Sequence, residues 1–336
     1  MSTIKNILRN YLSLLRIQTA AATASAPLLG GLIMGQRDIS HLAILFIIGL
    51  LCHIYGFVLN EYVDVEVDKK SIDLKKKPLV SGSITNTQAL FIVIISILCG
   101  YALIVFFYRS IYTVTFFSIA LLFSGLYDIY GKRIVGMDFV LAGGFFFICL
   151  MGASTISIDF NNLVYLVCLV YFFQILYNNA VEGGLKDVDH DGIGGAKTLA
   201  LAMSVNVKSG DLQITKSFAG FAYGVRFIFF GLLVFLGSQN QLDIWSDKHI
   251  FQIIIIVFLT MIFFGTLHRF LKNVKFDRGR LKRLFSFHEM TSYFMLIIVL
   301  SPLFDLWITL ALLLLPAVWY LVFNIFLYGK ILEPRV

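Results

Sequence analysis

The chain has 336 residues, of which 59% are hydrophobic and only 14% are charged. Because soluble domains are about a quarter charged, this composition excludes a soluble globular protein and predicts an integral membrane protein. The net charge of +7 would suit nucleic acid, but the positions of the basic residues, described below, favour membrane lipid as the partner and no nucleic acid.

Ten apolar runs are candidates for membrane-spanning helices, since a span needs roughly 20 such residues. They cover residues 15–35, 41–60, 87–107, 110–127, 138–157, 161–181, 217–237, 249–268, 289–302 and 305–328. The ninth run is short and ends at Pro302, so it is either a half-span or one arm of a broken helix completed by the tenth. The pattern predicts an all-α, polytopic transmembrane helix bundle.

The distribution of Lys and Arg predicts how the bundle is oriented, because these residues accumulate in cytoplasmic loops. With a cytoplasmic N-terminus, 23 of them fall on the cytoplasmic side and only Arg37, Arg109 and Lys248 on the other, with Arg226 inside a span. The bias predicts a cytoplasmic N-terminus. It also gives the basic excess a partner in anionic lipid headgroups.

The alanine-rich stretch Thr19–Ala26 follows a basic segment, as a signal-peptidase site would. However, Arg9 and Arg16 interrupt the apolar region that a signal peptide needs, and the apolar run continues to Gly35. We therefore expect these small residues to allow close helix packing.

The second apolar run ends in a polar motif with the sequence Asn60-Glu-Tyr-Val-Asp64-Val-Glu-Val-Asp68. On a helix, residues four apart lie on one face, so Asn60, Asp64 and Asp68 stack. Stacked carboxylates repel one another unless a cation lies between them. Ligand sets made only of oxygen favour Mg²⁺, Mn²⁺ or Ca²⁺ over Zn²⁺.

A second acidic cluster, Asp187-Val-Asp189-His-Asp191, follows the sixth run. It resembles the start of an EF-hand loop, but the twelfth position of such a loop is Thr198, where a bidentate Glu is required. Asp187 and Asp191 repeat the spacing of Asp64 and Asp68, so we interpret them as a second carboxylate pair on a helix. Since both clusters end spans on one side of the membrane, we expect them to converge.

Two carboxylate pairs that hold divalent cations would bind a ligand with a high negative charge, such as a diphosphate, through those cations. Basic residues near the clusters are candidate phosphate contacts: Lys69, Lys70, Lys75, Lys76, Lys77, Lys132, Arg133, Lys186 and Lys197. For a single lysine, a role in topology alone is the simpler interpretation. The remaining acids of the first loop, Glu61, Glu66 and Asp73, are interpreted as ordinary solvated carboxylates at a helix end.

Three segments together resemble the UbiA-type intramembrane prenyltransferases. They are Asn60-x-x-x-Asp64-x-x-x-Asp68, Lys77-Pro-Leu-Val-Ser-Gly82-Ser-Ile84, and Asp187-x-x-x-Asp191 followed by Gly195-Ala-Lys-Thr-Leu199. The resemblance implies one transmembrane prenyltransferase domain over residues 1–336, with cytoplasmic motif loops at 61–86 and 182–216 and a C-terminal hairpin at 289–328. It implies that Mg²⁺ is held by Asn60, Asp64, Asp68, Asp187 and Asp191, the four aspartates being the catalytic residues. It further implies that the diphosphate is held by Asn60, Lys77, Lys132, Arg133 and Lys197.

The activity implied by the resemblance is transfer of an isoprenyl group from an isoprenyl diphosphate to a lipid-soluble acceptor. The acceptor is either an aromatic ring resembling 4-hydroxybenzoate or an alcohol resembling geranylgeranylglyceryl phosphate. The chain departs from the family in its lysine-rich first loop, in its tenth apolar run, and in Glu182-Gly-Gly-Leu185 before the second motif. The last departure leaves the acceptor open.

Two other functions fit parts of the pattern. A cation transporter also uses paired carboxylates, but its acids lie near the bilayer midplane rather than at the ends of spans. A phospholipid-headgroup transferase is the other alternative, although the Asp-x-x-Asp-Gly-x-x-Ala-Arg pattern of that family is absent from the sequence.

Overall fold

The structure, a computed structural model, describes residues 2–69, 74–272 and 274–329. The helices are α1 (Ser2–Leu14), α2 (Ala20–Ile33), α3 (Ile39–Asp68), α4 (Asn86–Phe107), α5 (Ile111–Tyr130), α6 (Met137–Ser154), α7 (Asn162–Tyr177), α8 (Gly184–Gly194), α9 (Leu199–Ala202), α10 (Lys216–Gly237), α11 (Ile250–Phe270), α12 (Arg278–Leu300) and α13 (Leu306–Tyr328). Strands β1 (Asn206–Lys208) and β2 (Asp211–Gln213) form an antiparallel hairpin, with Val207 opposite Leu212.

Within these residues, nine helical segments are long and apolar enough to cross a membrane. The prediction of an all-helical transmembrane bundle is confirmed. The first predicted span is the exception, because the apolar helix there covers only Ile17–Ile33. Arg16 takes a left-handed conformation with φ of 43°, which separates α1 from the helix that follows. Such a conformation is uncommon for a residue with a side chain and breaks a right-handed helix.

The ninth predicted span is a complete helix rather than a half-span. It begins at Arg278, eleven residues before the apolar run, because the side chain of Asp277 caps it by accepting a hydrogen bond from the backbone N–H of Arg280. It ends in a 3-10 turn at Ser301–Leu303, and α13 starts separately at Leu306. The apolar run began later than α12 itself, because the first turns of the helix are rich in Arg and Lys and therefore have low hydropathy.

One compact unit contains α1 to α5, the part of α6 from Gly143 onward, and the end of α13 from Val318. Its helices approach closely where small residues meet. A Cβ atom at Gly30 would overlap the carbonyl oxygen of Cys149, and one at Gly152 would overlap the backbone of Pro27. The alanine-rich segment is buried along the same helix α2, so the expectation that its small residues serve helix packing is confirmed.

The second compact unit contains α7 to α12, the β-hairpin, the start of α6 up to Ala142, and α13 up to Ala317. Its apolar core includes Leu185, Phe218 and Phe270. Between α7 and α8 the chain forms a π-helical turn at Asn178–Gly183. Such turns widen a helix locally and are often found at functional sites.

A buried polar network runs through this unit and centres on Arg226 of α10, which is fully buried. Its guanidinium group lies 3.7 Å from the ring centre of Tyr177 and donates a 2.8 Å hydrogen bond to Gln174. Gln174 donates to Asn178 at 2.9 Å, and Asn178 donates to Glu289 of α12 at 3.0 Å. The network therefore ties the π-helical turn to both α10 and α12.

Candidate active site

The first predicted motif lies on a continuous helix. Helix α3 extends to Asp68 without a break, so Asn60, Asp64 and Asp68 share one face, as the spacing predicts. Asn60 and Asp64 are half-buried and Asp68 is buried. We call these three residues, with Lys77 beside them, the first half-site.

Lys77 is in direct contact with this motif. Its ammonium group donates hydrogen bonds to Asp68 at 2.8 Å and to Glu61 at 3.0 Å. The loop after Lys77 folds back on itself, with the N–H of Ile84 bonded to the carbonyl oxygen of Pro78. Lys77 is thus held at the end of α3 as a cation whose partners are two carboxylates.

Glu61 corrects the sequence interpretation, because it is not a solvated carboxylate. It is buried, with 6% of its surface exposed, and it accepts a 2.6 Å hydrogen bond from Arg16 in addition to the one from Lys77. A carboxylate buried between two cations is strongly oriented. Glu66 is exposed and pairs with Lys69, as expected for a surface acid. Lys70 and Asp73 lie outside the described residues.

Asp128 belongs to this region and was missed at the sequence level. It lies on α5 and is 7% exposed, so it is an acid buried within an apolar helix. The charge of Asp64 also acts on it. One signal was present in the sequence, since an acid inside an apolar span is by default a functional candidate.

The second motif also lies on a helix, α8, which covers Gly184–Gly194. Asp187 and Asp191 therefore share a face, and the EF-hand alternative is wrong because the three aspartates do not form a loop. Thr198, the position of the EF-hand glutamate, instead caps α9 by accepting a hydrogen bond from Leu201. Asp187, Asp191 and the lysines around them form what we call the second half-site.

Asp189 points to a different partner from its neighbours. It accepts a short, charge-assisted hydrogen bond from Arg278 of α12, and Arg278 also donates to the carbonyl oxygen of Lys186 at 3.1 Å. These hydrogen bonds from Arg278 hold α8 against α12, on the face of α8 opposite to Asp187 and Asp191. The helical interpretation, in which Asp189 lies off the stacked face, is confirmed.

Several predicted basic residues surround the second half-site. Lys186 lies 3.3 Å from the carboxylate of Asp187, and the charge of Lys132 acts on the same group. The backbone N–H of Lys197 donates a 2.9 Å hydrogen bond to the carbonyl oxygen of Lys132, joining the two basic loops. Arg133 is exposed next to them, as are Lys69, Lys75 and Lys76 near the first half-site.

The donors at both half-sites fit Mg²⁺, because all are carboxylate or amide oxygens. In the described part of the chain, no three His, Cys, Asp or Glu side chains form a preformed metal cluster. Mg²⁺ commonly binds through one or two carboxylates and completes its shell with substrate phosphates and water. Each half-site therefore offers one carboxylate pair toward such a shell.

Nine apolar helices in the described residues, with paired aspartates and lysines at two helix ends, define a multi-pass integral membrane protein with a polar site. The sequence pattern of the UbiA prenyltransferase family matches residues 24–245. The chain therefore belongs to the UbiA prenyltransferase family and is a prenyltransferase. The resemblance seen in the sequence motifs is confirmed.

Two relatives that match this chain are named for different reactions. It is 25% identical to the digeranylgeranylglyceryl phosphate synthase of Saccharolobus solfataricus over 211 residues, which cover 59% of this chain and 70% of the relative. It is 27% identical to the 4-hydroxybenzoate octaprenyltransferase of Blochmanniella floridana over 215 residues, which cover 62% and 74%.

Solved structures confirm the fold. A UbiA homologue from Archaeoglobus fulgidus, bound to GPP and Mg²⁺, superposes with a TM-score of 0.60 at 15% identity, covering 88% of this chain and 99% of the homologue. A structure of digeranylgeranylglyceryl phosphate synthase gives 0.55 at 21% identity, covering 92% and 99%. At these identities the likeness concerns the fold alone.

Proposed function

We propose that this prenyltransferase moves an isoprenyl group from an isoprenyl diphosphate to a lipid-soluble acceptor, with Mg²⁺ as cofactor. The observation that carries the proposal is that each aspartate pair stands beside a lysine. Lys77 lies 2.8 Å from Asp68, and Lys186 lies 3.3 Å from Asp187. Carboxylates that bind cations, next to ammonium groups that bind anions, suit a ligand carrying several phosphate charges together with its metal.

The residues that would hold Mg²⁺ are Asn60, Asp64 and Asp68 in one half-site and Asp187 and Asp191 in the other. All contribute oxygen atoms, the donors that Mg²⁺ prefers. When bound, Mg²⁺ neutralises the negative charge that develops on the departing diphosphate. Support comes from the similar A. fulgidus homologue, which was solved with GPP and Mg²⁺.

The basic side chains bind and orient the diphosphate. Lys77 exchanges its contacts with Asp68 and Glu61 for phosphate oxygens, while Lys132, Arg133 and Lys197 contact the diphosphate from the second half-site. The bond between C1 of the isoprenyl chain and the diphosphate oxygen breaks, and its electron pair leaves with the diphosphate. A carbon or oxygen atom of the acceptor bonds to C1 and loses a proton. Water must be excluded, because it would capture C1 instead.

The acceptor is a 4-hydroxybenzoate-like ring or a geranylgeranylglyceryl phosphate-like alcohol. Relatives named for each of these chemistries match with nearly equal identity, 25% and 27%. Both substrates carry apolar chains or rings, which a bundle of apolar helices keeps within the membrane.

From the distribution of Lys and Arg, we further propose that the N-terminus and both half-sites face the cytoplasm.

The proposal is tested with the purified full-length chain in lipid nanodiscs. Labelled geranylgeranyl diphosphate is supplied with Mg²⁺ and, separately, with each of the two acceptor types. We expect one acceptor to become labelled and diphosphate to be released in equal amount, with both products absent when EDTA is added. Labelling of neither acceptor, even when shorter and longer isoprenyl diphosphates are tried, would contradict the proposal.

The proposal also predicts a distance. One diphosphate with its cations must bridge both half-sites, so the carboxylates of Asp64 and Asp187 should lie within about 15 Å of each other, the limit set by metal–oxygen and phosphate dimensions. Electron cryo-microscopy of the chain with Mg²⁺ and a non-hydrolysable isoprenyl thiodiphosphate would measure this separation. A larger value in the ligand-bound state would show that the two half-sites do not share one diphosphate.

A further inference from the structure

Glu289 is an acid inside the apolar helix α12, in a sequence region that carries neither half-site. It lies within the candidate span Arg278–Leu303, and its Oε1 atom accepts a 3.0 Å hydrogen bond from the side chain of Asn178. Its second oxygen, Oε2, has no hydrogen-bond partner among the described residues. An ionisable group within a span is costly and is by default a candidate functional residue.

A directed chain of hydrogen bonds determines how Glu289 is held. The guanidinium group of Arg226 can only donate, so Gln174 accepts from it with its carbonyl oxygen and keeps its NH₂ group for Asn178. Asn178 accepts from Gln174 with Oδ1 and therefore donates to Glu289 with its own NH₂ group. The chain thus ends on Oε1 of Glu289 as an acceptor, which fixes the carboxyl group and leaves Oε2 for another donor.

The accessible part of Glu289 faces the protein interior rather than lipid. The side chain is half-buried. Its exposed neighbours on α12 are Phe287 and Met290, which are 50% and 37% exposed and lie about 160° and 100° around the helix from it. By contrast Glu182, the acid on the π-helical turn, is only 1% exposed. Of these two acids, only Glu289 can be reached by a molecule bound inside the protein.

Glu289 also lies deeper in the membrane than the second half-site. Its partner Asn178 is in the middle of the span Asn162–Gly194, and Asp187 is near the end of that span. The nine residues from Asn178 to Asp187 correspond to about 13 Å at 1.5 Å per residue. An isoprenyl chain whose diphosphate is held at Asp187 is apolar and extends toward the span interior. Its C1 atom and the acceptor are then on the same side of Asp187 as Glu289.

We propose that Glu289 is a catalytic residue, which binds the hydroxyl group of the acceptor and takes its proton. The inference rests on the proposed function, in which both acceptor types carry a hydroxyl group. With an alcohol, the hydroxyl oxygen bonds to C1, the bond from C1 to the diphosphate oxygen breaks, and its electron pair leaves with the diphosphate. The hydroxyl proton passes to Oε2 of Glu289.

With an aromatic acceptor the same proton transfer makes the ring more electron-rich. A ring carbon then bonds to C1 while the diphosphate leaves with its electron pair, and the proton on that ring carbon returns to the ring oxygen. In both cases Glu289 ends with one additional proton. A side chain positioned to take a proton typically contributes about 100- to 10,000-fold to the rate.

The substitution Glu289→Gln separates proton transfer from shape. The amide has nearly the same size and its oxygen still accepts from Asn178, but its NH₂ group takes no proton from a hydroxyl group. We expect kcat for prenyl transfer in nanodiscs to fall by about 100-fold or more, with whichever of the two acceptors the wild type labels. The Mg²⁺-dependent affinity for a non-reactive isoprenyl thiodiphosphate, measured by calorimetry, should stay within about twofold of the wild type, as for independent sites.

The matched control is Glu182→Gln, the same change at the enclosed acid, for which we expect a nearly unchanged kcat. Glu289→Asp keeps a carboxyl group that is shorter by one methylene, so its kcat should lie between those of the wild type and Glu289→Gln. A purely structural role would give the opposite order, because Asp alters the packing more than Gln does. The melting temperature checks folding. If Glu289→Gln does not fold, Glu289→Asp takes its place, with an expected loss of about tenfold.

Three results would overturn the inference: a wild-type rate in Glu289→Gln, an equal loss in Glu182→Gln, or a loss of thiodiphosphate affinity as large as the loss of rate. A wild-type rate in Glu289→Asp would do so where that variant takes its place. Failure of the proposed function looks different, because the wild type itself would then bind no thiodiphosphate with Mg²⁺ and label no acceptor.

Discussion

We expect alanine at Asp64, Asp68, Asp187 or Asp191 to lower the rate of prenyl transfer by several hundred-fold or more. Under the proposed function each substitution removes an oxygen donor for the cation, and metal stabilisation of a departing phosphate contributes several kcal/mol in the transition state. At about 1.4 kcal/mol per tenfold change in rate, the loss reaches this size. Turnover of labelled isoprenyl diphosphate by each variant in nanodiscs gives the measurement, with the melting temperature as the check on folding.

The chain provides controls on the same two helices. Glu66 is exposed on α3 and pairs only with Lys69 among the contacts described. Asp189 lies on α8 but contacts Arg278 rather than the aspartate pair. We expect Glu66→Ala to keep nearly full activity and Asp189→Ala to keep far more activity than Asp191→Ala. Equal losses for Asp189→Ala and Asp191→Ala would show that position on the helix does not decide the role.

The same assay can be repeated while the Mg²⁺ concentration is varied. Chelation should reproduce the loss in the wild type, and excess Mg²⁺ should partly restore an Asp→Glu variant but not an Asp→Ala variant, which has no ligand to offer. Unaltered prenyl transfer in an Asp64→Ala, Asp187→Ala double variant would end the assignment of these residues. Ion flux that requires no isoprenyl diphosphate would instead favour a transport function.

The largest expected effect on stability is at Arg226. Arg226→Met preserves most of the side-chain volume but removes the charge that acts on Glu182 and Glu289, both of which lie on the segments packed around it. Glu182 is 1% exposed and neither of its carboxylate oxygens has a hydrogen-bond partner among the described residues. Arg226→Met also removes the hydrogen bond to Gln174, and leaving a buried donor or acceptor unsatisfied costs about 1–3 kcal/mol. Equilibrium unfolding in mixed micelles measures this free energy.

The same experiment contains its control and its rescue. Lys216→Met, an exposed cation on the same helix α10, should change the free energy of unfolding by less than about 1 kcal/mol. Adding Glu182→Gln to Arg226→Met should restore part of the lost stability, since the uncompensated carboxylate is then gone. A loss below about 1 kcal/mol for Arg226→Met would mean that the network is not held together by charge.

The sequence alone determined the membrane-embedded helical fold and the helical nature of both aspartate motifs. Backbone polar groups have no water to bond to in lipid, so long apolar runs must be helices. For that reason hydropathy located nearly every span. Within a helix the four-residue spacing is a local property, so the shared faces of Asp64 with Asp68 and of Asp187 with Asp191 followed without any tertiary information.

The tertiary structure decided which other groups join these motifs. Glu61 looked like a surface acid because its partner Arg16 lies 45 residues away in sequence. Asp128 looked like an isolated acid because its electrostatic interaction with Asp64 depends on how α5 packs against α3. Helix geometry alone predicted that Asp189 lies on a different face from Asp187 and Asp191. Its hydrogen bond to Arg278, which is 89 residues away in the sequence, was not predicted. Such contacts arise from the packing of distant helices, which periodicity and spacing within one helix do not encode.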